Sequence, residues 1–218
     1  MNRGPVALLA TFLAALAWSA YRPHDPLTWG LEVAPALLAV ALLVATYRRF
    51  RFTPLAYTLM WLHALLLLVG GHYTYAEVPL FNWLRDAFDL SRNHYDRLGH
   101  LAQGFVPAIV AREVLLRTSP LRSGGWLFFL VTCVCGAVSA VYELLEWVVA
   151  EAGGATAEAF LAFQGDVWDT QKDMALALAA AVAAQLLLAG VHDRQLRQVL
   201  HCSAPDARDR DESRSPRP

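Results

Sequence analysis

From Met174 to Val191 the sequence reads MALALAAAVAAQLLLAGV, without a charged side chain. A bilayer core takes ~17–25 such residues per helical crossing. Six predominantly apolar runs of this kind can be marked, at 5–20, 33–47, 54–70, 98–116, 126–150 and 174–191. Hydrocarbon offers no partner for backbone N–H and C=O groups, so only helices or closed barrels cross it. These Leu/Ala/Val runs lack the two-residue alternation of barrel strands. The expected fold class is therefore all-α: a polytopic membrane helical bundle of about six transmembrane helices.

Composition agrees, since 56% apolar and 17% charged residues are too hydrophobic a balance for a soluble domain. The net charge of −1 says less than the placement of the charges. Arg48, Arg49 and Arg51 lie between the second and third runs, and Arg112, Arg117 and Arg122 around the junction of the fourth and fifth. Arg194, Arg197, Arg208, Arg210, Arg214 and Arg217 follow the last run, whereas 151–171 holds Glu151, Glu158, Asp166 and Asp169 and no basic residue. Positive loops stay inside, so both termini are expected in the cytoplasm. The lipid bilayer is the expected environment, and a bacterial inner (plasma) membrane the expected location.

Residues 1–200 read as one transmembrane domain, and 201–218, rich in Asp, Arg, Ser and Pro, as a disordered polar cytoplasmic tail. The first run also fits a secretory signal core. It is long for one and the site after Ala17-Trp18-Ser19-Ala20 is poor for cleavage, so it is read as a span. Between the third and fourth runs, Phe81, Trp83, Leu84, Phe88 and Leu90 alternate with Asn82, Arg85, Asp86 and Asp89, the pattern of a short interfacial helix. Cys133 and Cys135 diverge on a helix and Cys202 stands apart, which excludes a disulfide framework or a Cys-x-x-Cys metal site. No Ser-His-Asp arrangement, phosphate loop or nucleic-acid-binding signature occurs.

Ionisable groups in or beside spans are costly, and three clusters exceed loop decoration. Asp96, His100 and Gln103 follow i, i+4, i+7 and share one helix face. Tyr142, Glu143 and Glu146 lie in the last turns of the fifth run, where acids oppose the helix dipole. Asp166, Asp169 and Asp173 follow i, i+3, i+7 at the mouth of the sixth. The topology sets all three at one depth near the outer leaflet. Carboxylates gathered there need protons, a cation or an arginine.

The expected metal ligands are Asp96, His100, Glu143, Glu146, Asp169 and Asp173, and the ion a divalent cation: Mg²⁺, Mn²⁺, Ca²⁺ or Zn²⁺, with the histidine favouring Mn²⁺ or Zn²⁺. A lipid-linked phosphate is the expected substrate class. Three bland readings stand beside this one. Asp166 and Asp169 also fit helix caps, the acids also fit a structural network with Arg97 or Lys172, and His63 fits an interhelical hydrogen bond. A proton- or cation-coupled transporter using Glu143, Glu146 and Asp173 is the main alternative, opposed by the apolar look of the inner halves apart from His63. A non-catalytic assembly protein is the third.

The strings HYTYAEVPLFNWL, RNHYDRLGHLAQGFVPAIVAREVLLR, YELLEW and QGDVWDTQKDM resemble the YjdF-like family of bacterial inner-membrane proteins over residues 72 to 197. The resemblance implies a multi-pass inner-membrane protein carrying Asp96, His100, Glu143, Glu146, Asp166, Asp169 and Asp173 in its polar motifs, in a family without an assigned function. It departs at Lys172, where the family tends to an aromatic. A weaker likeness, in the order of an Asp-x-x-x-His helix start, a glutamate-bearing helix and an Asp-rich last helix, is to VanZ-like proteins.

Overall fold

Each transmembrane segment begins or ends where a proline, a cap or a charge interrupts the apolar pattern. In the computed structural model, which describes residues 3–153 and 164–203, the helices are α1 (Arg3–Ser19), α2 (Pro26–Thr46), α3 (Pro54–Tyr73), α4 (Pro79–Ala87), α5 (Tyr95–Thr118), α6 (Gly125–Gly153) and α7 (Asp169–Ser203). A 3-10 turn, Tyr75–Glu77, links α3 to α4, and no strand occurs among the described residues. Beyond Ser203 the expected polar tail lies outside the described residues, as does Glu158.

Four helices are long and apolar enough to cross a bilayer: α2, α3, α6 and α7. With α1 shorter and α5 more polar, the chain is a membrane helical bundle. α5 falls short in composition rather than in reach: its 24 residues extend ~36 Å. Of its charged residues, Asp96, Arg112 and Glu113 are buried against other helices, and Arg97 and Arg117, near its two ends, are partly exposed.

Two bounds differ from the sequence reading in ways that matter later. α2 starts at Pro26 rather than 33, because Asp25 caps it, accepting a hydrogen bond from Thr28 N at 2.7 Å, and Pro26 takes the first helical position. That adds Glu32 to the helix. α7 starts at Asp169 rather than 174, so Asp169 and Asp173 occupy its opening turns.

α1 and α2 each pack on α3, α5, α6 and α7 pack on one another, and α3 against α5 joins the two groups. The first group closes over Phe12, Val33, Ala36, Ala64 and Leu68. The second closes, with α3, over Ala56, Ala108, Ile109, Leu127, Val131, Cys135, Ala181 and Ala184. Lipid is as apolar as leucine, so small residues that let backbones approach supply much of the association. At Gly104 the approach is closest: a Cβ there would stand 1.9 Å from the carbonyl oxygen of Ala177 on α7. A backbone atom cannot swing aside. Gly104→Ala is therefore expected to spread α5 from α7, cost about 1–3 kcal/mol or more and lower the melting temperature of the detergent-solubilised protein. An unchanged melting temperature would show that the two helices are not held at this distance.

α4 buries none of its residues, and Leu80 and Trp83 lie exposed, as an interfacial helix requires. It is tethered by the Phe81 ring, 5.2 Å from that of Tyr95, and by a hydrogen bond from Asn93 Nδ2 to Asn82 Oδ1 at 2.8 Å.

Candidate functional site

α5 and α7 begin, and α6 ends, at the same end of the bundle, where α2 also begins. All four helices contribute a buried acid there: Glu32 from α2, Asp96 from α5, Glu143 and Glu146 from α6, and Asp169 and Asp173 from α7. Asp96 and His100, one turn apart on α5, face Asp173. The ligating atoms of these three residues all lie within 4.8 Å of one another.

His100 is the hinge of the arrangement. Its Nδ1 lies 3.2 Å from Gln103 Oε1, an acceptor, so Nδ1 carries the proton of the hydrogen bond. The Nε2 edge of the ring faces inward, with Asp96 Oδ1 and Glu143 Oε1 each 3.5 Å away. A ring nitrogen fixed by its partner's hydrogen bond is how metal-ligating histidines are usually oriented. The Tyr142 ring stands edge-on to that of His100, centroids 6.4 Å apart.

Asp169 and Asp166 have another company. Asp169 is ion-paired with Arg92, which also reaches Asp96 at 3.3 Å. Asp166 pairs with Arg97 and Lys172, each at 2.6 Å. Arg92 is 4% exposed and comes from the segment just before α5. Gln164 pins that segment by exchanging two 2.9 Å hydrogen bonds with the Asn93 backbone. Of the six residues expected to ligate a metal, Asp96, His100 and Asp173 thus form the tight group and Glu143 adjoins it. Glu146 is buried within electrostatic reach of Glu143, Asp96, Glu32 and Asp173, and Asp169 turns to an arginine.

The sequence reading had no place for Glu32. It is 2% exposed and faces Tyr75, Tyr142, Asp96 and His100. The missed signal was local: Asp25-Pro26 is a cap followed by an N1 proline, which moves the helix start seven residues earlier and brings Glu32 inside.

Three carboxylate oxygens in this cluster, Glu32 Oε2, Glu143 Oε1 and Asp173 Oδ1, are buried and accept no hydrogen bond from a described residue. Burying an unsatisfied acceptor costs about 1–3 kcal/mol, more if it is charged. Native structures carry few such groups without a reason.

The opposite end carries a second polar network that the sequence reading missed when it took the inner halves as apolar apart from His63. Glu113 and His192 are both fully buried there. Glu113 accepts hydrogen bonds from the Thr53 backbone at 3.1 Å, the Thr53 hydroxyl at 2.8 Å, Arg117 at 2.8 Å and His192 Nε2 at 3.1 Å. Arg112 donates to His192 Nδ1 at 2.8 Å and pairs with Asp193 at 2.7 Å. Arginine has no acceptor, so the His192 proton resides on Nε2 and points at Glu113. None of the side-chain atoms of Glu113, His192 or Arg112 is a buried orphan. His63 itself is half-buried, and its ring has no hydrogen-bond partner among the described residues.

The two ends therefore differ in kind. The Glu113 network is closed, and the Asp96 cluster holds acids in excess of its donors.

Residues 4–194 match the family described as "Predicted membrane protein (DUF2238)", and the chain belongs to that family. It is 50% identical over 188 residues to Inner membrane protein YjdF of Escherichia coli (strain K12), covering 86% of this chain and 90% of that protein. No solved structure matches the chain. The protein is accordingly a multi-pass bacterial inner-membrane protein of a family without an assigned function, in line with the resemblance read from its motifs.

Proposed function

We propose that this inner-membrane protein binds a divalent cation between α5 and α7, and that the bound ion acts on a lipid-linked phosphate. The observation that carries the reading is the buried Asp96, His100, Asp173 group, with oxygens of Asp173, Glu143 and Glu32 around it that accept no hydrogen bond from a described residue. A divalent ion supplies positive charge to all of these at once. Two carboxylates and one imidazole suit Mn²⁺ or Zn²⁺ better than Ca²⁺, whose sites are built from oxygens alone. Asp96, His100 and Asp173 would be the direct ligands, Gln103 would orient His100, and Glu143, Glu146 and Glu32 would complete the shell or hold a proton. The arginine-rich loops support an outer-leaflet position for this end, with six passes and both termini cytoplasmic. A phosphoryl oxygen delivered there by a lipid would meet the ion as a Lewis acid.

Elemental analysis of the purified protein, with melting curves in millimolar Mg²⁺, Mn²⁺, Ca²⁺ and Zn²⁺, tests the ion. Bound Mn²⁺ or Zn²⁺ and a selective rise in melting temperature are expected. A protein free of metal that no cation stabilises would end this reading.

Coupled transport needs a polar route between the two ends. The layer between them holds the Ala108, Ile109, Val131, Cys135 and Ala181 core with the uncharged Thr132, Ser139 and Gln185, and no titratable acid or histidine of the two networks, which favours the bound-ion reading. Flux into proteoliposomes driven by a pH gradient and absent in Glu146→Gln would reverse the ranking.

A further inference from the structure

On the exposed side of the acidic cluster, three cationic groups converge on a single carboxylate oxygen. Asp166 Oδ2 lies 2.6 Å from Arg97 Nη2, 2.6 Å from Lys172 Nζ and 3.9 Å from Arg92 Nη1. Its other oxygen accepts from Lys172 at 2.8 Å and from the Trp168 backbone at 3.1 Å. The last of these closes a turn of the kind aspartate forms with the N–H two residues on. Asp166 precedes α7 and is not its cap in the ordinary sense, because its side chain reaches no N–H of the helix itself. Lys172 holds the Asp166 carboxyl down at about 2, so the group is an anion at any physiological pH.

The starts of α5 and α7 flank the same spot, and helix N-termini favour anions. The Lys172 side chain is 46% exposed, that of Arg97 22% and that of Arg92 4%, so the cations lead from solvent inward. Arg92 then touches Asp96, one of the three clustered ligands. A carboxylate held by two arginines and a lysine, next to two helix starts, occupies the place where a phosphate would make the same contacts.

We propose that Arg97, Arg92 and Lys172 form the headgroup site for a phosphate or diphosphate anion, and that Asp166 is an internal stand-in which the arriving anion displaces. This rests on the preceding reading for the metal beside it. The cationic rim binds and orients the headgroup, and the acidic group beyond Arg92 receives the ion that acts on it. Asp166 supplies one negative charge to the rim while no substrate is present, which lessens the repulsion among the three cations.

The test measures inorganic pyrophosphate binding to the full-length protein in nanodiscs of phosphatidylcholine, with EDTA present so that no metal contributes. Asp166→Asn keeps an oxygen for the Trp168 N–H but removes the competing charge. It should bind pyrophosphate about ten- to a hundredfold more tightly than the parent, the range of one or two charge-assisted contacts. Adding Arg97→Gln to Asp166→Asn should abolish that gain, and this pair of variants keeps the conclusion independent of Lys172. Phosphatidic acid in the nanodisc should compete, which assigns the site to a lipid headgroup; binding indifferent to it would support the anion site and assign a soluble phosphate. If Asp166→Asn binds pyrophosphate no better than the parent while still melting normally and responding to Mn²⁺, the rim is a structural ion network and the proposal is overturned. If the pyrophosphate pattern holds and no variant responds to Mn²⁺, the rim stands and the metal reading falls.

Discussion

Asp173→Asn is expected to abolish the stabilisation that Mn²⁺ should give the parent protein. A ligand present at a hundred times its dissociation constant stabilises the folded state by about 2.7 kcal/mol. In a chain of this size that is a rise of roughly five to ten degrees in melting temperature. Asp173 contributes one of three clustered ligand atoms, and Asn lacks the charge that a hard cation requires. His100→Ala should have the same consequence. Without metal, Asp173→Asn should melt no lower than the parent, because the substitution removes one of several mutually repelling carboxylates. That combination, undiminished stability with a lost metal response, separates a ligand from a residue that merely holds the fold. Melting curves with and without Mn²⁺ check it, and a parent-like response in Asp173→Asn would remove Asp173 from the site.

The second large effect belongs to the opposite end. Glu113→Ala should destabilise the protein by about 3–5 kcal/mol, the range found when one partner of a buried ionic group is removed. The side chain receives Thr53, Arg117 and His192 at once, and Thr53 is itself the cap of α3, its hydroxyl accepting from Ala56 N at 3.3 Å. Loss of Glu113 therefore unpairs two cationic or polar groups and loosens a helix start. A drop on the order of ten degrees in melting temperature is expected. His192→Ala alone should cost less, and the double variant should fall short of the sum because both act through one network. Mn²⁺ should still stabilise Glu113→Ala, since the two networks lie at opposite ends. Additive losses would mean that Glu113 and His192 are independent.

The polar residues singled out in the sequence were the ones whose spacing put them on one helix face within a single run: Asp96 with His100, Glu143 with Glu146, Asp169 with Asp173. Spacing along one helix is legible because the α-helical period is a local property. Pairing across helices is not. Glu113 and His192 are 79 residues apart, and their charged neighbours Arg112 and Asp193 read only as the ends of two separate runs, so their contact depends on how α5 lies against α7. Arg92 was legible only as a loop charge, although it ties Asp169 to Asp96. Glu32 was lost differently, through a misplaced helix start that the Asp25-Pro26 pair was able to correct.

By itself the sequence determined the solvent and the class of structure. Runs of apolar residues long enough to cross hydrocarbon admit only hydrogen-bonded helices, and a few charges placed within or beside them must face inward. What the tertiary structure decided was which acids meet which donors. The Gly104 contact with Ala177 brings α5 and α7 together closely enough for Asp96, His100 and Asp173 to converge. The same approach gives Asp169 to Arg92 and leaves oxygens of Glu32, Glu143 and Asp173 without a hydrogen-bond donor among the described residues. Those assignments turn on ångströms between helices. They come from the packing of whole surfaces, and no spacing within one segment encodes them.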